Sequence, residues 1–534
     1  MSRGSIISSE NLDLFQSKPT RRLNSLLLNF WPMVILIPLA AFAMIWGLDR
    51  GNLLDWDEAI YAQVSKEMVQ TGDWLTLHYG NIPWFHKPPL YIWITAFFFQ
   101  SFEVSEFWAR AASALAGTVL ILLTYFIGER IYNRSTGFIA AIVLLTSYDY
   151  ARYSRSAMMD IMLTLFIFLG VYAYLRLQGG NRKWWYVIWV SFALSFMVKS
   201  FASLLVPAAI ALVIGFDNRI RDAIQSKQLW LGSILALVIV IPWHVLAYSK
   251  FGIEFIDEYF LYHIVERSLT TLESNSGNAF FYLDKMQSGF FPWFYLAPAA
   301  LGLSLIEIFK GQSRSRLLLL LSLLTLFTFT LAKTKLPWYI IPAYPALALL
   351  VAATILQAAR EHNRWLLLSL VAGGLAAVFS RVDLVIASRL VPITGAAGIL
   401  VLLHAALTKK LNSSILLAVL SLFLMVMGAK NIWPLYIRGE DPAAKMARIA
   451  ASTGPQDREP LIVYSGLFVP MPLYYSNRPI EEAQTPEDIA GFVQGPQIKR
   501  ILLNREDLPA LSSDYDLKPL AEDGSWVYAT IQPR

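Results

Sequence analysis

The stretch LLDWDEAIYAQ, residues 53–63, follows directly on a long apolar run and sets Asp55, Asp57 and Glu58 within four positions. Charge at the edge of an apolar segment is costly unless it is paired or has a task. The chain around it is dominated by such segments. Of its 534 residues 56% are hydrophobic and 15% charged, and the mean hydropathy of +0.49 lies far from the balance of a soluble globular chain. Apolar runs long enough to cross about 30 Å of hydrocarbon as helices recur along most of the length, and they are too long for barrel strands. The fold class expected is an all-α polytopic membrane domain followed by a small α/β domain.

Spans are expected near residues 29–48, 107–128, 136–150, 161–178, 184–198, 201–216, 229–247, 290–309, 317–332, 339–358, 365–380, 384–408 and 414–434. That makes about thirteen transmembrane helices, with 184–216 alternatively one re-entrant hairpin. The first has no small-residue cleavage site after it and reads as a retained anchor. Arg21 and Arg22 precede it, and every second loop is basic: Arg130 with Arg134, Arg182 with Lys183, Arg219 with Arg221 and Lys227, Lys310 with Arg314 and Arg316, Arg360 with Arg364, and Lys409 with Lys410. The positive-inside rule makes these loops cytoplasmic. Residues 1–28 are then a cytoplasmic segment, 29–438 the membrane domain with long external loops at about 49–106 and 248–289, and 439–534 an extracytoplasmic domain. In that tail AAKMARIAA has helical spacing, whereas LIVYS, RILLN and WVYATI are short β-like runs between turn residues. The absence of cysteine excludes disulfides, thiolate nucleophiles and cysteine metal sites. The pI near 9.1 does not signal nucleic acid, because the basic residues are spread over loops rather than gathered in a patch. No internal repeat of the kind common in transporters is visible.

Asp55 followed three residues later by Glu58 reads as a capping box, and Ile60, Val64 and Met68 continue an amphipathic helix. Asp57 is the carboxylate that the cap does not need, although a negative charge in a first turn also eases the helix dipole. In NIPWFHKPPLYIW, His86 and Lys87 stand between aromatics and a Pro-Pro break. Lys87 there is either a lysine reaching toward lipid head groups or a functional cation. A cation and a carboxylate on one external loop suit transfer from a phosphate leaving group, one stabilising phosphate charge and the other activating a hydroxyl.

The order DEAIYAQVSKEMVQTGDW, WFHKPPLYIW and FWARAASALAGTVLILLTYFIGERIY, continued by SAMMDIMLTLF, SFMVKS, PWHVLAY, EYFLYHIVERS and TKLPWYIIPAYPALALL, resembles the bacterial lipid A aminoarabinose transferases and protein O-mannosyltransferases. These are membrane glycosyltransferases of the C-type fold (GT-C). The resemblance implies a polyprenyl (undecaprenyl-type) phosphate sugar as donor and transfer to an envelope lipid, glycan or protein on the external face of the bacterial inner membrane. It implies that Asp57 carries catalysis as the base of an inverting displacement and that Asp160 positions the acceptor or the base. Lys87 and Arg267 match donor-phosphate contacts, and Glu58, Tyr61, Lys335 and Tyr339 match residues of the substrate cavity. Lys199 matches a lysine usually followed by Gly, where Ser200 stands here. The pattern departs at His86, which replaces an acidic residue that in the aminoarabinose transferases can bind a metal with a histidine matching His263. Imidazole is itself a zinc ligand, so His86 and His263 are read either as a metal pair or as hydrogen-bonding histidines near the phosphate. No other cofactor is implied, and no Gly-rich nucleotide loop is present. The rival reading from another class is a transporter or flippase of lipid-linked sugars, which would place ionisable groups near the bilayer midplane.

Overall fold

In a computed structural model the residues described are 18–54, 56–271, 275–312, 314–361, 439–452, 459–464, 470–494 and 497–534. The spans expected at 365–380, 384–408 and 414–434 lie outside them. Among the described residues five helical runs are long and apolar enough to cross a membrane: Glu106–Ile131, Asp160–Leu177, Trp184–Phe216, Lys227–Phe251 and Pro337–Ala358. Trp31–Ile45, Leu90–Ser101, Arg134–Leu145 and Arg316–Leu331 are shorter apolar helices, and Phe281–Gly289 with Trp293–Phe309 forms a pair bent by 117°. The protein is a helical, multi-pass membrane protein. Pro337–Ala358 is its central rod, with 89% of its apolar window buried, whereas Lys227–Phe251 has only 17% buried. The latter turns Leu231, Ile234, Val238, Ile241 and Val245 outward, an apolar surface suited to lipid and not to water.

Two local features depart from the expected spans, and the break expected near residue 200 is present. The run 136–150 is broken: Thr146 and Ser147 turn their hydroxyls back to the carbonyls of Ile142 and Val143, at 2.7 and 2.8 Å, which ends the helix at Leu145 before a separate helix Tyr148–Ser154. Leu90–Ser101, inside the expected external loop 49–106, is an apolar helix launched after Pro88-Pro89. The run Trp184–Phe216 doubles back at the 3-10 turn Ser200–Leu204. Lys199 lies beside Asp160 at the start of the neighbouring helix, whereas Val213 and Asp217 share a cavity with Tyr174 and Gln178 at its end. Helices Glu106–Ile131 and Arg134–Leu145 cross at glycine: a methyl group on Gly128 would lie 2.5 Å from the Cα of Gly137.

Helix Asp160–Leu177 separates two charged faces by about 27 Å, from 18 residues at 1.5 Å each. Near Leu177, Arg130 and Arg314 line one cavity and Arg182 and Arg219 a second. Near Asp160 lie Lys199, Lys87 and Asp57.

A two-stranded hairpin, β1 (His78–Tyr79) and β2 (Ile82–Pro83), precedes Trp84; beyond residue 439 the strands β3 (Leu461–Tyr464), β4 (Ile480–Ala483), β5 (Lys499–Asn504), β6 (Tyr515–Asp523) and β7 (Trp526–Pro533) form one sheet in the order β4-β3-β5-β7-β6. β3 is parallel to β4 and β5, and β7 is antiparallel to β5 and β6. One face buries Ile462, Ile501, Leu503, Val527, Ala529 and Ile531. The strands over LIVY, RILLN and WVYATI sit where β-branched and aromatic residues concentrate, while β4 and β6, rich in Glu, Asp and Lys, are edge strands that carry little such signal.

Candidate active site

Helix Asp57–Thr71 starts at Asp57 without a side-chain cap, after Trp56 in a left-handed conformation at φ 68°. Asp55 lies outside the described residues. Glu58 does not serve the cap in the expected way, nor does it line the cavity. It is 2% exposed, receives the Arg110 guanidinium at 2.7 Å, and accepts the backbone N–H groups of Leu54 at 2.8 Å and Ala157 at 2.9 Å. Arg110 in turn donates to the carbonyls of Leu48, Arg50, Gly51 and Asn52 at 2.6–3.1 Å. The buried pair therefore fixes the turn that delivers Asp57, and a charge pair is stable in such a place because its remaining hydrogen-bonding positions are filled. Arg110 carried no signal in the sequence beyond its place in a long apolar helix.

Tyr61, one turn on, is buried against Asp57. Its burial first, then the Asp57 and Asp160 carboxylates, push the phenol well above its usual range. The hairpin β1 (His78–Tyr79) and β2 (Ile82–Pro83) turns through Gly80 and Asn81, both at positive φ, the pattern of a type I′ turn. The Glu67 carboxylate holds that turn by accepting the N–H groups of Gly80 at 2.8 Å and Asn81 at 3.0 Å. The strand ending leads directly to Trp84–Lys87.

His86 and Lys87 open onto a cavity of about 590 Å³ that also takes in Lys199, His263, Arg267 and Tyr339. Much of the rest of its lining is apolar, with Phe201, Leu204, Leu205, Ala208 and Leu331. Lys87 makes no ion pair among the described residues. Burial, and then the like charges of Arg267 and Lys199, lower its ammonium to about 7, with Asp57 and Asp160 opposing that shift. Asp160 is 1% exposed; Lys199 donates to its Oδ1 at 2.5 Å, and its buried Oδ2 has no hydrogen-bond partner among the described residues. Lys199 also stands 4.8 Å above the Tyr339 ring. The lysine whose role the sequence left open thus anchors the second carboxylate. Ser200 beside it takes φ 40°, and its hydroxyl is 2.8 Å from that of Tyr259, which is 3.0 Å from His244 Nε2.

His263 and Arg267 arrive from an unusual element. Residues Asp257–Glu266 wind as a π-helix, a form that recurs at functional sites. Five residues span about 140° of an α-helix, so Glu258 and His263 would face apart in one; the π winding brings both to His86. Glu258 Oε1 is 3.0 Å from His86 Nε2, the His86 and His263 rings are 3.8 Å apart, and one ligand atom from each of the three residues lies within 4.8 Å of the others. Burial, then Lys87, His86 and Arg267, hold His263 far below the usual imidazole range, and neither ring nitrogen has a hydrogen-bond partner among the described residues. Burial also lowers His86. Glu258 as a third member escaped the sequence because an α-helical reading separates it from His263.

Lys335, expected in the cavity, is elsewhere: its ammonium donates to the carbonyls of Thr330 at 2.5 Å and Ala332 at 2.7 Å and closes the end of helix Arg316–Leu331, where a cation favours the dipole. The site thus gathers Asp57, Tyr61, His86, Lys87, Asp160, His263, Arg267 and Tyr339 of the expected residues, and leaves out Glu58 and Lys335.

A family model described as dolichyl-phosphate-mannose-protein mannosyltransferase matches residues 86–246. An undecaprenyl phosphate-alpha-4-amino-4-deoxy-L-arabinose arabinosyl transferase of Pseudomonas fluorescens is 29% identical over 337 residues, 61% of this chain and 60% of that protein. The alignable part therefore spans about 60% of the relative's length. Among solved structures, ArnT from Cupriavidus metallidurans bound to undecaprenyl phosphate superposes with a TM-score of 0.74 at 20% identity, covering 94% of this chain and 98% of that one. The archaeal oligosaccharyltransferase AglB from Archaeoglobus fulgidus superposes at 0.54 and 12% identity, covering 94% and 74%. The chain has the fold of these C-type membrane glycosyltransferases and resembles the aminoarabinose transferases and protein mannosyltransferases in sequence.

Proposed function

We propose that the protein transfers a sugar from a polyprenyl phosphate donor to a cell-envelope lipid, glycan or protein by a single inverting displacement. The observation that carries this reading is one cavity that combines the cations Lys87, Lys199 and Arg267 with an apolar lining that includes Leu204 and Leu331. A phosphate on an isoprenoid chain combines the same two characters. The arabinosyl transferase of Pseudomonas fluorescens is named for an undecaprenyl phosphate donor, and the ArnT structure holds undecaprenyl phosphate.

In this reading Arg267 meets phosphate oxygens through its planar fork and Lys87 as a point charge. The phosphate replaces the missing counter-charge of Lys87 and returns it to the protonated form. The acceptor oxygen attacks the anomeric carbon as the bond to the phosphate oxygen breaks. Asp57 takes the acceptor's proton, and polyprenyl monophosphate departs with the electron pair. An ordinary aspartate is a weak base for an alcohol, so the proton moves late, as the sugar gains oxocarbenium character. Asp160, oriented by Lys199, offers its free Oδ2 to an acceptor or sugar hydroxyl.

His86, Glu258 and His263 fit a divalent cation such as zinc: two imidazoles and a carboxylate converge, and His263 is neutral with both nitrogens available. A metal held there would supply fixed positive charge beside the leaving phosphate. Zinc analysis of the purified protein and activity after exhaustive chelation test this; no metal and unchanged activity would remove the metal role from the three residues.

We place residues 1–28 in the cytoplasm, 29–438 in the bacterial inner membrane and 439–534 outside. The arginine-lined cavities at one face and the carboxylate cluster at the other support that orientation. Mass spectrometry of envelope lipids, glycans and proteins with and without the protein tests the function. A sugar mass that disappears with the protein and returns with the wild-type chain, but not with Asp57→Asn, is the expected result; an unchanged envelope contradicts it.

A further inference from the structure

The loop that ends at Asp57 is held from two sides. Arg110 and Glu58 grip it from within the membrane portion. On its other side lies the part of the chain beyond residue 439, for which the active-site chemistry gives no use. Tyr475, in the short helix Pro470–Ser476, accepts the backbone N–H of Leu53 at its hydroxyl, at 2.8 Å. The same hydroxyl donates to Glu106 at 3.0 Å, and Glu106 pairs with Arg448. The Arg448 guanidinium lies 4.5 Å above the Tyr475 ring. A second tie runs from the backbone N–H of Asp441 to the Asn52 side chain at 2.7 Å. A third joins the Lys66 ammonium to the Tyr474 carbonyl at 2.6 Å.

The first two ties converge on residues 52–53, a few positions before Trp56, whose φ of 68° is a conformation that a bulky side chain adopts only when its surroundings impose it, and the third holds the helix that follows. Leu53 is 1% exposed and packs with Tyr474, Tyr475, Met471 and Ala443. A chain relaxing at Trp56 would swing the start of the helix, and with it the Asp57 carboxylate. We infer that the C-terminal unit is a working part of the catalytic site, with Tyr475 a positioning residue whose hydroxyl holds the 52–57 loop so that Asp57 faces the cavity. The inference rests on the proposed transferase reading for its consequence, and on the geometry alone for the clamp.

Tyr474 supplies the control. It is a tyrosine in the same interface, yet its hydroxyl is buried with no hydrogen-bond partner among the described residues, and Lys66 is held by its backbone carbonyl. Tyr475→Phe and Tyr474→Phe therefore each remove one hydroxyl from the same interface, and only the Tyr475 hydroxyl is hydrogen-bonded to the loop. With full-length protein and a synthetic polyprenyl phosphate sugar, Tyr475→Phe is expected to lower kcat about tenfold with donor KM little changed, because orientation and not donor binding is lost. Tyr474→Phe is expected to turn over as wild type. Amide hydrogen exchange gives a reading independent of chemistry. Leu54 and Ala59, bonded to Glu58 and to the Leu54 carbonyl rather than to Tyr475, should exchange roughly tenfold faster in Tyr475→Phe only. Equal turnover in the two variants, or loop amides unchanged in Tyr475→Phe, overturns the inference. If wild-type protein does not use the donor, the proposed function falls, and the exchange contrast still decides the clamp.

Discussion

The two ends of helix Asp160–Leu177 treat charge in opposite ways. Beyond Leu177, Arg182 and Arg219 are exposed around shallow polar cavities, free to be solvated or to meet lipid phosphates. At the other end Asp160 is 1% exposed against Lys199, and Lys87 stands desolvated among like charges. Exposed charge of the first kind sorts topology and costs little. Buried charge of the second kind is expensive, and a fold retains it where a ligand completes the balance. Lys87 and Arg267 lining one cavity, with the Asp160–Lys199 pair beside them, describe a site suited to an anion.

The largest effect expected is at Asp57. The amide of Asp57→Asn keeps the shape and loses the basic oxygen, so turnover should fall by about 10²–10⁴, the usual share of a general base, with membrane insertion and donor binding retained. Its neighbour sharpens the comparison between chemical and structural charge: Glu58→Ala strands Arg110 in the interior and should destabilise the fold by about 3–5 kcal/mol, read as a loss of melting temperature or of folded yield. If Glu58→Ala is as stable as wild type, the pair is not the anchor of the loop.

Lys87→Ala and Arg267→Ala should each weaken donor use by about tenfold or more, since charge-assisted hydrogen bonds are worth about 1.5–3 kcal/mol. Arg267→Lys should recover only part, lacking the fork. The lowered ammonium of Lys87 adds a pH dependence with a definite sign. Below about pH 7 the empty cavity already holds a charged lysine; above it donor binding must take up a proton. Donor affinity should therefore weaken as pH rises through that value, by up to about tenfold per unit, and Lys87→Arg should flatten the slope. A flat profile in the wild type would place the phosphate elsewhere. Smallest of all is Lys250→Ala. Lys250 is an exposed lysine that joins Asp73 at 3.1 Å and Thr76 at 2.8 Å, outside the cavity, and its loss should change stability by no more than about 1 kcal/mol and leave turnover nearly intact. A loss equal to that of Lys87→Ala would mean that the loops sense surface charge only.

Much of the bundle was legible because long apolar runs and alternating basic loops are strong signals. Its irregularities were not. The stop at Thr146 depends on hydroxyls that could as well point outward, and the helix Leu90–Ser101 is too short to announce a span. In the site, Asp57 and Asp160 were reached through motif order, but their neighbours show what one dimension hides. Glu58 looked like half of a cap until Arg110, 52 residues on, claimed it. Lys335 looked like a cavity cation until it closed a helix end. Glu258 was invisible because periodicity assumes 3.6 residues per turn and the π segment breaks that assumption.

The most direct measurement of the central claim is the fate of both halves of the donor in proteoliposomes of the wild-type protein. With an envelope acceptor present, the account predicts one polyprenyl monophosphate released for each sugar transferred, and by NMR an anomeric configuration opposite to that of the donor. Intact donor carried across the bilayer, or a product that keeps the donor's configuration, would contradict it.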